Sequence, residues 1–376
     1  MNDYDVIVVG AGLSGCTIAE RFVNVLNKKV LILEKRDHIG GNCYDYIDAE
    51  TGIRVSKYGP HFFHTNDEGV WDYVNRFSEW IRYDLKVMSH VDNRAVPVPV
   101  NMETINILNN QSLQTPDETR SYMQSIQIPS AYPENSEDVA LSRVGRTLYE
   151  KMFLPYTQKQ WNRPPTELHT SVLSRIPVRY DSDTRYFTDK YQAIPKHGYA
   201  AFFERLIDHP NIQLQLNAQV QFPLEHPCVI YTGPIDAYFK SAGLPSLEYR
   251  SLRFEEERYF NYGYSQQNIF MNHPSRNVPY TRAVEYKHLP YEEHAATKHT
   301  IVVKEYPSDV GEPFYPVPSD ENHRLFDEYR KLAMSTPNIH MIGRLANYKY
   351  FNMDQAIRNA LDYFETTFHG EVCRRM

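Results

Sequence analysis

Apolar residues at the start of the chain form a short run, a helical stripe and a second short run. Residues 6–9 and 30–33 are wholly apolar and mostly β-branched, a composition typical of buried parallel strands. Between these runs, apolar positions within residues 18–26 recur at helical spacing. The pattern predicts a strand, a helix and a second strand, which is the opening unit of an α/β fold.

The turn that follows the first strand has the residues of a phosphate-binding loop. Gly10 permits the tight turn, Gly12 lets the backbone approach a pyrophosphate, and Gly15 lets the helix pack closely on the strand. Glu34, directly after the second strand, is placed to accept a hydrogen bond from a ribose hydroxyl. We therefore predict a bound dinucleotide; the alternative is a glycine-rich turn in another kind of βαβ unit.

The rest of the chain alternates between helical and extended patterns. Residues 94–100 carry prolines at alternate positions and predict an edge strand. Residues 101–170 are mainly helical, with helix starts at Thr115 and Ser136 and with Pro155 ending the second helix. Further extended segments are expected at residues 176–180, 213–220, 254–262, 278–286 and 300–306, and further helices at 198–206 and 353–364.

These patterns predict an α/β protein with a Rossmann-like dinucleotide-binding domain, an inserted helical domain and an antiparallel β-sheet domain. The first is assembled from residues 1–80, 193–247 and 336–376, the second from 101–172, and the third from 81–100, 173–192 and 248–335. A chain of 376 residues is long enough for more than one core.

Composition and charge exclude several classes of function. The net charge of −7 argues against nucleic acid as a main partner. No apolar run approaches the roughly 20 residues that cross a bilayer, and the chain begins on a strand without a signal peptide. Cysteines 16, 43, 228 and 373 lack metal-ligand spacing, so we predict no metal site and reduced thiols in a cytoplasmic protein.

A second glycine pair, Gly40 and Gly41, follows Glu34 closely and precedes Asn42. Adjacent glycines again permit close backbone approach to a ligand. This arrangement resembles the large flavoprotein family in which FAD lies extended along the fold. The resemblance implies FAD as the bound dinucleotide, where the glycine turn alone would also suit a nicotinamide cofactor.

Six separated segments make the chain similar to the UDP-galactopyranose mutases of bacterial type. They are residues 58–65, 156–161, 175–180, 277–282, 312–317 and 343–354, in the family's order. The resemblance implies an isomerase that interconverts UDP-galactopyranose and UDP-galactofuranose, with N5 of reduced FAD as nucleophile and no net redox change. It also implies a nucleotide-sugar substrate, reduction by NADPH or another external reductant, and a homodimer.

The resemblance carries roles onto individual residues of this chain. Arg175 and Arg282 are expected to grip the pyrophosphate, with Arg175 swinging in on a mobile loop, and His61 is expected to tune the flavin. The cofactor-binding residues implied are Gly10, Gly12, Ser14, Gly15, Glu34, Lys35, Gly41, Asn42, His61, Phe62, Arg344, Met353 and Asp354. The substrate-binding residues implied are Tyr156, Thr157, Trp161, Arg175, Tyr186, Asn272, Arg282, Tyr315, Tyr350 and Asn352.

Three positions depart from the family's usual pattern. Asn352 stands where an aspartate is usual, Phe62 where isoleucine is usual, and Leu85 where a substrate-side asparagine is expected. These changes bear on the sugar more than on the chemistry. UDP-N-acetylgalactosamine and dTDP-fucopyranose are therefore alternative substrates, and the apolar Leu85 favours a deoxy sugar.

Two other kinds of protein share the opening motif. A flavin oxidoreductase of the amine-oxidase type would share residues 1–42 without the arginine and tyrosine motifs. A non-catalytic binder of FAD or of a nucleotide sugar would have no need of both Arg175 and Arg282 together with the tyrosine set.

Overall fold

The computed structural model describes residue 1 and residues 3–369; the predicted thiol at position 373 and residues 370–376 of the predicted first domain lie outside them. The strands β1 to β17 are, in chain order, Val6–Val9, Val30–Leu33, Asp45–Ile47, Arg54–Ser56, Phe63–Thr65, Trp80–Arg82, Val87–Val91, Arg94–Val98, Tyr191–Pro195, Ile212–Gln215, Val229–Tyr231, Tyr249–Tyr259, Phe270–Asn272, Arg282–Glu285, Thr300–Ser308, Tyr315–Pro316 and Ile339–Met341. The α-helices α1 to α12 are Leu13–Leu26, Glu68–Asn75, Met102–Asn109, Pro116–Ile126, Ser136–Leu148, Leu154–Trp161, Ser171–Ser174, Gly198–Leu206, Ile235–Tyr238, Glu292–Ala296, Asp320–Met334 and Met353–Phe364.

A five-stranded parallel sheet, in the order β10-β2-β1-β11-β17, carries the predicted dinucleotide site. Its strands come from three distant parts of the chain. Helices α1 and α12 pack together on the sheet, where Phe22 and Phe364 meet edge to face at 5.3 Å. The Rossmann-like architecture is confirmed.

The helical layer is formed by α3 to α7 around a core that includes Ile105, Met123 and Leu148. The predicted start at Thr115 is a full capping box, in which the hydroxyl accepts from the Glu118 amide at 3.2 Å. The prediction that Pro155 ends the second helix is wrong. The chain passes from α5 through a π-helical turn at residues 149–153 into α6, and the proline occupies the first turn of α6.

A seven-stranded sheet, in the order β16-β12-β15-β14-β13-β7-β8, faces the other two layers. Its pairs are antiparallel except β13 with β7, and β8 lies at its edge, as the prolines of residues 94–100 predicted. Several predicted strands are shorter or absent. The strand predicted at 213–220 is Ile212–Gln215, and the strand predicted at 278–286 is Arg282–Glu285. Residues 176–180 form a loop with a single bridge between Val178 and Val100.

A three-stranded sheet, in the order β5-β9-β6, joins the layers. The buried apolar residues gather into separate clusters around the parallel sheet, inside the helical layer and beneath the seven-stranded sheet. We propose on this basis the three-domain division given above. The candidate site lies where these clusters meet.

Candidate active site

One cavity of about 680 Å³ lies between the three layers. Most of the residues implied for the cofactor's reactive end and for the substrate line it: Asn42, His61, Phe62, Tyr156, Thr157, Trp161, Arg175, Tyr186, Asn272, Arg282, Tyr315, Arg344, Tyr350, Asn352 and Met353. The predicted residues that do not line it are Gly10, Gly12, Ser14, Gly15, Glu34, Lys35, Gly41 and Asp354. Asn42 therefore marks the point where the glycine turn region reaches the cavity.

Two glycines of the turn, Gly10 and Gly15, leave no room for a side chain. A Cβ on Gly15 would lie 2.0 Å from the Gly10 carbonyl oxygen, and Gly10 itself adopts a φ of +106° beside Thr232. A Cβ on Gly343, in the loop after β17, would lie 2.8 Å from the Ser14 hydroxyl. The turn, the start of α1 and the loop after β17 thus pack closely at their glycines.

The second glycine pair lies directly against the first. The Gly40 amide donates to the Ala11 carbonyl at 2.8 Å, and a Cβ on Gly41 would lie 3.0 Å from Gly12 Cα. A Cβ on Gly12 would meet only Gly41, at an ordinary 3.7 Å. Gly12 therefore borders a space large enough for a methyl group, which we call the glycine cradle. This space fits the close approach of a pyrophosphate to the backbone.

Glu34 is buried at the end of β2 and accepts from two backbone amides. Its carboxylate oxygens lie 2.7 Å from the Ala11 nitrogen and 3.0 Å from the Arg36 nitrogen. These bonds fix the carboxylate beside the turn, where an acidic residue is needed for a ribose hydroxyl. The predicted position of Glu34 and the cradle around Gly12 together fit a dinucleotide.

Lys35 and Arg36 reach from β2 to the loop before β16. Lys35 is exposed and pairs with Glu312 at 3.2 Å, so its contact is with that loop. Arg36 also pairs with Glu312, donates to the Asn42 side chain at 2.9 Å and lies over the Tyr58 ring at 4.0 Å. The sequence reasoning missed Arg36, although it lies next to a predicted residue.

Helix α12 begins at the wall of the cavity. Asn352 and Met353 line the cavity, and the Asn352 amide donates to Gln355 at 3.0 Å. Asp354 turns away, since its carboxylate accepts from the Thr65 hydroxyl at 3.0 Å. The first turn of this 12-residue helix therefore forms part of the cavity wall, while Asp354 ties the helix to β5.

Two arginines and two tyrosines form one stack in the cavity. The Arg175 and Arg344 guanidinium carbons lie 4.4 Å and 4.8 Å from the centroid of the Tyr350 ring, which stacks on Tyr315 at 5.6 Å. Burial opposes ionisation of the Tyr350 phenol, but Arg175, Arg344 and Arg282 outweigh burial and lower its pKa. The cavity therefore has an excess of fixed positive charge, suited to an anion.

Arg282 and Asn272 are side by side because β13 and β14 pair at that register. Arg282 donates twice to one oxygen of Glu305, at 3.0 Å and 2.6 Å, across the pairing of β14 with β15. Burial opposes the charge on Arg282, but Glu305 raises its pKa above the usual value. Glu305 lines the cavity and was missed by the sequence reasoning, because the sequence does not show the register at which β14 and β15 pair.

His61 and His64 differ in their partners. The His61 ring nitrogen Nδ1 lies 2.8 Å from the Gly59 carbonyl, and burial together with Arg344 lowers the pKa of His61 to about 4. His61 is therefore neutral at physiological pH. His64 contacts the Asp189 carboxylate at 3.1 Å and stacks on Phe187.

The remaining predicted substrate residues come from α6 and from the loop before β9. Tyr156, Thr157 and Trp161 lie on α6, and Tyr186 lies in that loop. Burial raises the pKa of both Tyr156 and Tyr186, so both phenols are neutral hydrogen-bond donors. Leu85 lines the same cavity and packs with Phe62 in the apolar cluster beneath the seven-stranded sheet.

Comparison with known proteins gives the family. The model of the UDP-galactopyranose mutase family matches residues 151–350, and that of a NAD(P)-binding Rossmann-like domain matches residues 8–77. A "Probable UDP-galactopyranose mutase" from Klebsiella pneumoniae is 39% identical over 96% of this chain and 94% of its own. The chain belongs to the UDP-galactopyranose mutase family.

Two further relatives refine this assignment. A dTDP-fucopyranose mutase from Escherichia coli is 37% identical over 95% of this chain and 96% of its own. A crystal structure of a reduced UDP-galactopyranose mutase matches with a TM-score of 0.77 at 16% identity, covering 97% of this chain and 96% of that one. Membership of the UDP-galactopyranose mutase family makes the protein an isomerase and disfavours the amine-oxidase alternative.

Cys16, Cys43 and Cys228 are free thiols, and burial raises the pKa of Cys43 to about 12, so that it is a packing residue. Within residues 3–369, no helix combines the length and the apolar character that crossing a membrane requires.

Proposed function

We propose that this protein interconverts the pyranose and furanose forms of a nucleotide-activated galactose-type sugar, using FAD without net redox change. The observation that supports this most directly is the cavity in which Arg175, Arg282 and Arg344 lie beside the start of α12. An oxidase acting on apolar amines has no use for three converging cations, whereas a departing nucleoside diphosphate needs them.

The glycine cradle and Glu34 would hold the pyrophosphate and a ribose of FAD, and the start of α12 would face its flavin. When bound and reduced, FAD supplies the nucleophile, at N5. The protein's own groups bind and orient the substrate. Arg175 and Arg282 would hold the pyrophosphate and stabilise the charge that it carries on leaving, since guanidinium groups offer paired donors and permanent charge.

Neutral donors and an uncharged histidine complete the proposed roles. Tyr156 and Tyr186 would donate to the nucleotide, because burial keeps their phenols protonated. His61, neutral and tied to the Gly59 carbonyl, would line the flavin side without taking part in proton transfer. The predicted reductant, NADPH, and the predicted homodimer stay predictions.

UDP-galactose is the first substrate to test. Purified protein, loaded with FAD and reduced by dithionite, is expected to convert UDP-galactofuranose to UDP-galactopyranose. Chromatography of the two sugar nucleotides measures the conversion. The unreduced protein and Arg282→Ala are the controls, and both are expected to be inactive. Equal turnover with oxidised FAD, or consumption of sugar with net oxidation, would contradict the proposal.

The apolar Leu85 supports a second candidate, dTDP-fucopyranose. Leu85 is 3% exposed and lines the cavity, so it offers no hydrogen bond to a sugar hydroxyl and suits a methyl group. A site built to hydrogen-bond a hydroxyl strongly rejects a sugar that lacks this hydroxyl. An apolar site rejects a sugar that carries an additional hydroxyl much less strongly. Turnover of the two substrates by the wild type and by Leu85→Asn would decide; the deoxy-sugar proposal fails if the wild type clearly prefers UDP-galactose.

A further inference from the structure

Lys159 projects from α6 into a loop of another layer. Its ammonium group donates to four backbone carbonyls of the segment that joins β13 to β14: Ser275 at 2.9 Å, Val278 at 2.7 Å, Tyr280 at 2.8 Å, and His273. An ammonium group has three protons, so four carbonyl acceptors saturate it. Lys159 is only half-buried, yet the hydrogen bonds of its ammonium group to the described residues all go to this one loop.

The loop in question, residues 273–281, connects two predicted substrate residues. It begins after Asn272, the last residue of β13, and ends before Arg282, the first residue of β14. The His273 amide donates to the Thr281 carbonyl at 2.8 Å, which closes the loop at its base. The position of the loop therefore helps to set where the Asn272 and Arg282 side chains start.

The helix that carries Lys159 also lines the cavity. Tyr156, Thr157 and Trp161 of α6 all line the cavity, and Lys159 lies among them in sequence. A single ammonium group thus joins the helix that presents the predicted nucleotide-binding side chains to the loop that precedes Arg282. A second tie runs from Gln158 of the same helix to Arg276 of the loop.

The charge on Lys159 has no carboxylate partner among the described residues. Burial lowers the pKa of Lys159 to about 8, and the four carbonyl dipoles favour the charged form against this burial cost. A point-like cation can approach four oxygens arranged around it. A planar guanidinium, with its donors fixed in a fork, matches carboxylate geometry instead.

We propose that Lys159 is a positioning residue, whose ammonium holds the 273–281 loop and α6 in register so that Arg282 and the α6 side chains grip the same nucleotide sugar. This inference rests on the proposed function of the cavity. A displacement of about 1 Å in a positioned group can cost roughly 10²-fold in rate, which sets the scale of the expected effect.

The test compares Lys159→Met with the wild type in the FAD-loaded, reduced protein. The methionine keeps an apolar stem and removes the cation. We expect turnover of UDP-galactose or dTDP-fucopyranose to fall about 100-fold and the Kd for UDP to rise about tenfold. Amide hydrogen exchange is expected to accelerate within residues 273–281, while the amides of β1 and β2 and the flavin content stay at wild-type values.

Lys151→Met is the matched control, since Lys151 lies in the adjacent π-helical turn and makes an exposed ion pair with Asp92 at 2.6 Å. It is expected to leave turnover and UDP affinity unchanged. If Lys159→Met is insoluble, Lys159→Arg takes its place, with about a tenfold loss expected because the fork fits the carbonyls poorly.

Three results would overturn the proposal. The first is Lys159→Met with the turnover and UDP affinity of the wild type, and the second is Lys159→Arg with the turnover of the wild type. The third is a loss of activity that is fully explained by a lower flavin content and a lower Tm. If the wild type itself turns over no sugar nucleotide, the proposed function fails, and hydrogen exchange together with UDP binding still judges the role of Lys159.

Discussion

Removing Arg282 should destabilise the protein chiefly through the carboxylate that it leaves behind. The Glu305 side chain is 2% exposed, and both hydrogen bonds from Arg282 go to one of its oxygens. The other oxygen, Oε1, is buried and has no hydrogen-bond partner among the described residues. Arg282→Met therefore leaves a buried carboxylate without its cation.

The size of the effect follows from this burial. Breaking a buried ion pair by removing one partner costs about 3–5 kcal/mol, whereas replacing both partners with apolar residues is often nearly neutral. An unfolding entropy of roughly 2.1 cal/mol/K per residue gives about 0.8 kcal/mol/K for a chain of this length, so Tm should fall by about 4–6 °C. Arg282→Met/Glu305→Leu should regain most of that loss.

Thermal unfolding of the FAD-loaded proteins, followed by circular dichroism, measures both variants. Arg253→Met is the control, because Arg253 and Glu255 form an exposed pair on the same sheet, and it should shift Tm by about 1 °C or less. The reasoning is refuted if Arg282→Met is as stable as this control, or if the double variant is as unstable as the single one.

Three further outcomes are expected. Gly12→Ala should fold normally yet bind little FAD, because its Cβ fills the glycine cradle without a clash. Gly15→Ala places a Cβ 2.0 Å from a carbonyl oxygen and should therefore also lower Tm. Measurements of flavin content and Tm distinguish the two variants. Arg175→Ala should weaken UDP binding about 10- to 100-fold by calorimetry and raise the pKa of Tyr350, seen in the ultraviolet titration of its phenolate. The pKa of His61 is lowered to about 4, so between roughly pH 6.5 and 4 the unfolded chain binds a proton at His61 that the folded protein excludes. The free energy of unfolding therefore falls as the pH drops through that range, and His61→Gln should reduce the fall in Tm between roughly pH 7 and pH 5.

The features that could be predicted are those with local signals. Gly10, Gly12 and Gly15 lie within one turn, and the apolar face of α12 has regular helical spacing, so both were predictable without knowledge of contacts. Pro155 misled because a proline signals the end of a helix only when no new helix starts there. The π-helical turn before it has no comparable sequence signal.

Features that depend on distant partners were not predictable. Lys159 binds carbonyl groups 114 to 121 residues away, and a backbone carbonyl is the same chemical group at every residue. Glu305 faces Arg282 only because β14 and β15 pair at one particular register. An error of one residue in that register would point the two side chains to opposite faces of the sheet.

The position of α12 has a consequence for how the protein is made. This helix follows the other sheets and helices in the chain, yet it packs on α1 and its first turn forms a wall of the cavity. A ribosome delivers the glycine turn first and Met353 more than three hundred residues later. The pocket can therefore close only after Met353 has emerged, so a cofactor would be captured late in synthesis, and until then α1 must keep its apolar face from other partners.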